Sequence, residues 1–302
     1  MPKSKAQEQL NCTIIGSGRV AKALAAALTG SSTSELCLNG IFARNTDEAE
    51  RIARNNGAPK YGGISEMQRL EALTFLCVSD DALPALAQQL CHIPTAGPDA
   101  CVVHLSGAHD LEPLTPLQER GIQTGSLHPL QTFPEGADAA SFEGIYASVL
   151  GAAPVAAQLT RVARALGCKP VTVDAKQKKQ LHLAAVFASN YMVALAALSE
   201  RAAPGLSKPA TQLLRPLMES TLQNLFAKGT AAALTGPVSR GDSSTVKAHL
   251  QNLGSPELTD DTDLSAAYRL LGRVAAGIAR SDNRLTPETY DELLALLDDC
   301  QA

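Results

Sequence analysis

Apolar positions recur along this chain in two rhythms. From about residue 10 to 174, short apolar runs alternate with stretches of helical spacing. The runs predict strands at 13–15, 38–42, 73–78, 101–105, 122–125, 147–150 and 170–173. Between them, 20–28, 47–55, 83–90 and 155–166 carry apolar residues with the period of an amphipathic helix. Strand and helix in alternation imply βαβ units, hence a doubly wound, mostly parallel sheet over 1–174. From about Ala175 the rhythm is helical throughout. QLHLAAVFASNYMVALAALSERAA reads as one long apolar helix stopped by Pro204-Gly205, and Leu213, Leu214, Leu217, Met218, Leu225 and Phe226 follow at helical spacing. Helices at 264–279 and 287–297 come later, the last with Thr286 as N-cap and Pro287 at its first position. The expected fold is α/β followed by an all-α helical domain over 175–302.

Composition narrows the function classes. The 302 residues hold 26 basic and 30 acidic side chains, a net charge of -4, which argues against an electrostatic nucleic-acid binder. Apolar residues reach 45%, enough for a globular core. No stretch approaches ~18 uninterrupted apolar residues, so no membrane-spanning helix is expected. The opening MPKSKAQEQL lacks the apolar core of a secretory signal. Seven scattered cysteines, never spaced as CxxC, fit neither a disulfide set nor a zinc site. The expectation is a cytoplasmic protein without a bound metal.

The first predicted strand runs into Gly16-Ser17-Gly18-Arg19-Val20-Ala21, the pattern GxGxxA at a strand–helix turn. Gly16 allows the tight turn, Gly18 lets a pyrophosphate approach the backbone, and Ala21 allows close helix packing. The helix N-terminus then offers free N–H groups to the anion. At the end of the second strand an NAD site needs an acid for the ribose hydroxyls; this chain reads Ala43-Arg44-Asn45-Thr46. Arg44 suits a 2′-phosphate, with Asn45 and Thr46 adding polar contacts, so NADP (as NADPH) is the expected cofactor. The alternative is a solvated Arg44 beside an Asn45 or Thr46 N-cap.

Three further strand ends carry chemistry. Val78-Ser79-Asp80 is placed to pass the ribose and pyrophosphate, or, with Asp81, to cap a helix. Ser106 lies beside Gly107, and His128 precedes Pro129 in a loop after the next short strand. A histidine there suits a proton donor or polariser of a substrate carbonyl or imine, with Ser106 orienting the substrate. His109 reads instead as structural. On the long helix His182, Ser189 and Asn190 fall at i, i+7 and i+8, one polar face in an apolar field, which suggests a cleft wall. Arg240 before Ser243 and Ser244 suits a substrate carboxylate at a helix start; Asp242 or Ser243 as a plain N-cap is the alternative.

The segments GSGRVA, CVSDDAL, HLSG, SLHPLQTF, HLAAVFASNYMVAL and TGPVSRGD resemble a family of candidate NADP oxidoreductases with a Rossmann-like N-terminal domain and a C-terminal helical domain of unknown function. That family is similar to pyrroline-5-carboxylate reductase, prephenate dehydrogenase and the 6-phosphogluconate dehydrogenase-like group. Ser106 and His128-Pro129 resemble the serine and His-Pro of prephenate dehydrogenases. The helix bearing Asn190 resembles one that holds a Lys and an Asn in β-hydroxyacid dehydrogenases, here with His182 upstream and no matching lysine. The resemblance implies a homodimer formed through the helical domain. The expected activity is hydride transfer between NADPH and a C=O or C=N carbon of a small, anionic metabolite. His128, Ser106, His182 and Asn190 are the candidate catalytic residues, and Ser189, Arg240 and Ser243 the substrate contacts. A non-catalytic NADP-binding redox sensor is the competing class.

Overall fold

The computed structural model describes residues 9–30 and 35–298; Cys300 lies outside them. Packing divides the chain into two compact units at Val186/Phe187, inside the long helix rather than at the strand-to-helix change near 174.

The first unit is built on eight strands: β1 (Leu10–Ile15), β2 (Leu36–Phe42), β3 (Lys60–Gly62), β4 (Leu73–Leu76), β5 (Cys101–His104), β6 (Gln123–Pro129), β7 (Tyr146–Gly151) and β8 (Lys169–Thr172). They lie in the order 3-2-1-4-5-6-7-8, every pair parallel except the antiparallel β6–β7. Five helices, α1 (Arg19–Leu28), α2 (Thr46–Asn55), α3 (Leu83–Leu90), α4 (Thr115–Glu119) and α5 (Ala153–Ala165), cover the sheet. Alternate strand residues feed opposite cores. Phe75, Cys101 and Val103 pack with α1, α2 and α5, whereas Leu76 and Val102 pack with α3 and α4. Such full burial on both faces is why these strands read as continuous apolar runs.

Three differences from the sequence reading bear on function. β3 is an additional edge strand with a single buried residue, Gly62, too short and polar to show a period. β4 stops at Leu76, which leaves Cys77 and Val78 in the following loop. β6 continues to Pro129, so His128 stands in a strand and not in a loop. β5 pairs with β6 only as far as Ser126, and beyond it β6 is held by β7 alone. Pro129, with no N–H to offer, is tolerated there because that side of the strand has no β5 neighbour.

The long helix opens as α6 (Ala175–Ala185) from a capping box: Asp174 accepts from the Gln177 N–H at 2.7 Å and the Gln177 side chain accepts from the Asp174 N–H. It passes through a π-turn, Val186–Asn190, into α7 (Tyr191–Arg201). The whole span Ala175–Arg201 is long and apolar enough by composition to cross a membrane, with mean hydropathy 1.7 in its most apolar window. Uninterrupted runs do not register this helix, because polar residues such as His182 and Asn190 break a run without lowering the mean over the window.

The second unit continues with α8 (Ala210–Leu213), α9 (Arg215–Ala233), α10 (Pro237–Arg240), α11 (Ser243–Leu253), α12 (Thr262–Ser281) and α13 (Pro287–Asp298). Val246, Ala276, Ala279, Leu285, Leu293 and Leu297 form its core. The Thr286 hydroxyl accepts from the Thr289 N–H at 3.2 Å, capping α13 as its sequence predicts.

Candidate active site

The turn after β1 is shaped by two glycines with different constraints. Gly16 has φ +131°, and a Cβ on it would stand 2.2 Å from the Cys77 carbonyl oxygen, so only glycine fits. Gly18 has ordinary dihedrals and caps α1 with backbone alone; a Cβ there would meet nothing within 4 Å. The first glycine serves packing, and the second leaves an open approach to a helix N-terminus. Ala21 is fully buried under the helix.

A cleft of about 580 Å³ lies over these strand ends, lined by Gly16, Ser17, Gly18, Arg44, Asn45, Val78 and Ser79 among others. Arg19 and Val20, in the first turn of α1, and Asp80 do not line it. Thr46 opens α2 and is exposed. The Asn45 side chain accepts from the Glu48 N–H at 3.0 Å, so of its two possible uses the N-cap is the one seen. The guanidinium of Arg44 is exposed at the cleft rim and makes no ion pair among the described residues. An open anion-binding turn, a free guanidinium at the end of β2 and a cleft of this volume fit a dinucleotide with an extra phosphate.

Next along the sheet, the ends of β5 and β6 gather a second group. The Ser106 hydroxyl accepts from the His109 N–H at 3.2 Å, closing a turn that carries Gly107. A Cβ on Gly107 would come within 2.6 Å of both His128 Cε1 and His182 Nδ1. The two imidazoles meet edge to face, 6.2 Å between centroids. His104 is wholly buried; its Nε2 lies 2.8 Å from the Asp110 carbonyl and its Nδ1 has no partner among the described residues. Burial first, and the nearby Lys178 cation second, push both His104 and His128 down to about 4. Burial thus disfavours the imidazolium at His128, and a neutral ring can offer a hydrogen bond but no surplus proton. This narrows its expected role.

Lys178 is the residue that sequence reasoning missed. Its Nζ donates to the Ser106 carbonyl at 2.7 Å, and the side chain is 1% exposed. Burial lowers it to about 8, with Asp80 and Asp110 acting the other way. It stands four residues before His182 on one face of α6, so the helix does carry a lysine toward this site. The spacing i, i+4 was the available signal; AKQKKQ otherwise reads as a solvated polar stretch.

The remaining candidates are arranged differently from expectation. Ser189 and Asn190 fall in the π-turn, which interrupts the 3.6-residue spacing on which a face shared with His182 depends. At α11 the helix start is already closed. Asp242 accepts from the Thr245 N–H at 3.0 Å, the Ser244 hydroxyl at 2.8 Å and the Thr245 hydroxyl at 2.7 Å. These bonds, Thr245's first, hold Asp242 down to about 2. The Asp242 carboxylate thus caps this N-terminus, one of the two uses the sequence allows, and opposes a further anion there. The Ser243 hydroxyl is buried without a hydrogen-bond partner among the described residues.

Comparisons with known proteins agree with this fold. The profile of a Rossmann-like domain matches residues 2–129, and that of the domain of unknown function DUF2520 matches residues 145–275. Among solved structures, a candidate NADP oxidoreductase from Bacteroides fragilis is 25% identical, with a TM-score of 0.73 over 90% of this chain and 100% of its own. A protein from Thermotoga maritima is 23% identical, with a TM-score of 0.69 over 90% of this chain and 100% of its own. A pyrroline-5-carboxylate reductase from Coxiella burnetii shares the fold at 15% identity and a TM-score of 0.56, over 96% of this chain and 97% of its own. No curated protein matches the sequence significantly. The first part of the chain is thus similar to a Rossmann-like domain and the later part to DUF2520.

Proposed function

We propose that this chain is an NADP-dependent oxidoreductase that passes hydride between NADPH and a C=O or C=N carbon of a small metabolite. The observation that carries the reading is the open backbone at Gly18, set in a cleft whose far rim holds the unpaired Arg44. The likeness to the Bacteroides fragilis structure supports it. Bound NADPH supplies the hydride. The protein supplies the rest: Gly18 and the start of α1 receive the diphosphate, Arg44 selects the 2′-phosphate, and Val78-Ser79 pass the ribose. His128, neutral and fixed in β6, donates a hydrogen bond to the acceptor's oxygen or nitrogen, with His182 beside it. Fluorescence titration with NADPH and NADH tests the cofactor half. Arg44→Ala is expected to weaken NADPH binding about tenfold or more and leave NADH unaffected. An unchanged preference sinks the assignment to NADP, and no binding of either nucleotide sinks the reading entirely.

A homodimer belongs to the same proposal. Val193, Leu217 and Phe226 of the helical unit are 71%, 62% and 84% exposed, more apolar surface than a monomer ordinarily leaves in water. A second copy of the chain is the proposed cover. Sedimentation is expected to give twice the 31.5 kDa chain mass. The double variant Leu217→Glu, Phe226→Glu should sediment as a monomer. A wild-type monomer, or flotation of the wild type with lipid vesicles, excludes the dimer.

A further inference from the structure

Lys178 is enclosed in the first unit, yet no carboxylate lies within ion-pair distance of it among the described residues. Of the two acids that act on it, Asp80 and Asp110, the second is engaged by Lys179 at 2.7 Å. A buried ammonium without a paired counter-ion is costly and persists only where its charge or its bonds serve the surroundings. Its one described bond is to the Ser106 carbonyl, which fixes the turn whose next residue, Gly107, lies against the rings of both His128 and His182. The groups facing His128 are Lys178 and His182 from α6, His104 from β5, and Asp80 after β4. Of these, only Asp80 favours a charged ring, and it contributes least.

We propose that Lys178 is a positioning residue for His128: its ammonium pins the Ser106–Gly107 turn against the two imidazoles and adds its positive charge to the recess they line. The assignment rests on His128 being the polarising group of the proposed reaction, and it narrows the acceptor to one activated by a neutral N–H donor. An acceptor that needs full protonation before hydride arrives does not suit such a site. The capping box at Asp174 and Gln177 sets the start of α6, and with it the direction in which Lys178 leaves the helix.

The test separates the charge from the hydrogen bond, and it needs no substrate. Lys178→Gln retains a donor for the Ser106 carbonyl and removes the charge; Lys178→Arg retains both. Nuclear magnetic resonance titration of the ring nitrogens in nucleotide-free protein is expected to find His128 neutral down to about pH 4 in the wild type. The midpoint should move toward the ordinary 6.5 in Lys178→Gln and stay low in Lys178→Arg. A wild-type midpoint already near 6.5 overturns the proposal on its own, even if Lys178→Gln does not fold. An unchanged midpoint in Lys178→Gln, or equal behaviour of the two variants, overturns it as well. A purely structural lysine would alter stability without moving the histidine. Failure to bind NADPH, by contrast, removes the proposed function and leaves this titration intact.

Discussion

Gly16→Ala is expected to destabilise the Rossmann-like unit by about 3 kcal/mol or more and to abolish nucleotide binding. Two terms add. The residue's φ of +131° is one that L side chains rarely adopt, and the new methyl would sit 2.2 Å from the Cys77 carbonyl oxygen. Neither neighbour is free to yield. The Gly16 N–H donates to the Phe42 carbonyl at 2.8 Å, and the Cys77 N–H donates to the Ile15 carbonyl at 2.8 Å, so β1, β2 and the loop after β4 are tied at this point. Gly18→Ala is the informative control. Its dihedrals suit alanine and its Cβ would enter open space, so the urea midpoint should stay within experimental reach of the wild type while NADPH affinity falls. Parallel urea melts and NADPH titrations decide the matter. Equal stability of the two variants would show that the close approach at Cys77 is wrong.

Acid should destabilise the protein between pH 6.5 and about 4, in a window set by His104. In the unfolded chain this ring takes up its proton near 6.5; in the folded one, where it is wholly buried, it does so only near 4. Within that interval the unfolded state holds more protons, so stability is complete above 6.5 and is lost as pH falls. One fully buried ring shifted this far corresponds to about 3 kcal/mol. His128 acts in the same direction to a lesser extent, because it is partly open to solvent. Urea midpoints at pH 7 and pH 4.5 measure the loss, and His104→Gln should remove much of it. An identical acid slope in that variant would assign the loss to other groups.

The sheet and the phosphate turn were legible because their physical causes are local. Strands buried on both faces announce themselves as apolar runs, and a strand, two spaced glycines and a helix occur within a dozen or so residues of chain. What escaped depended on partners distant in sequence. β3 pairs with β2 through Lys60, Tyr61 and Gly62, residues that carry no strand signature alone. His128 reads as loop-borne because the apolar run stops at Gly125; the strand goes on to Pro129, a proline acceptable there because β5 has ended at His104. Lys178 lay hidden in a polar run, and its burial follows from the Ser106 carbonyl, 72 positions away. Asp242 shows the converse: both its uses could be read from the sequence, but only the bonds from Ser244 and Thr245 decide between them.

The overhang of β6 past β5 has an implication for remodelling this enzyme-like scaffold. The two walls that meet at Gly107 are anchored differently: His128 is clamped by the ladder to β7, whereas Ser106 rides on a short bend beyond the last rung of its own strand. Insertions beyond Gly107 reshape one side of the recess, and with the Lys178 bond to the Ser106 carbonyl and the bare Gly107 kept, the opposing imidazole keeps its station. Diversity is therefore best introduced after Gly107, and the Gln123–Pro129 segment is best treated as fixed framework.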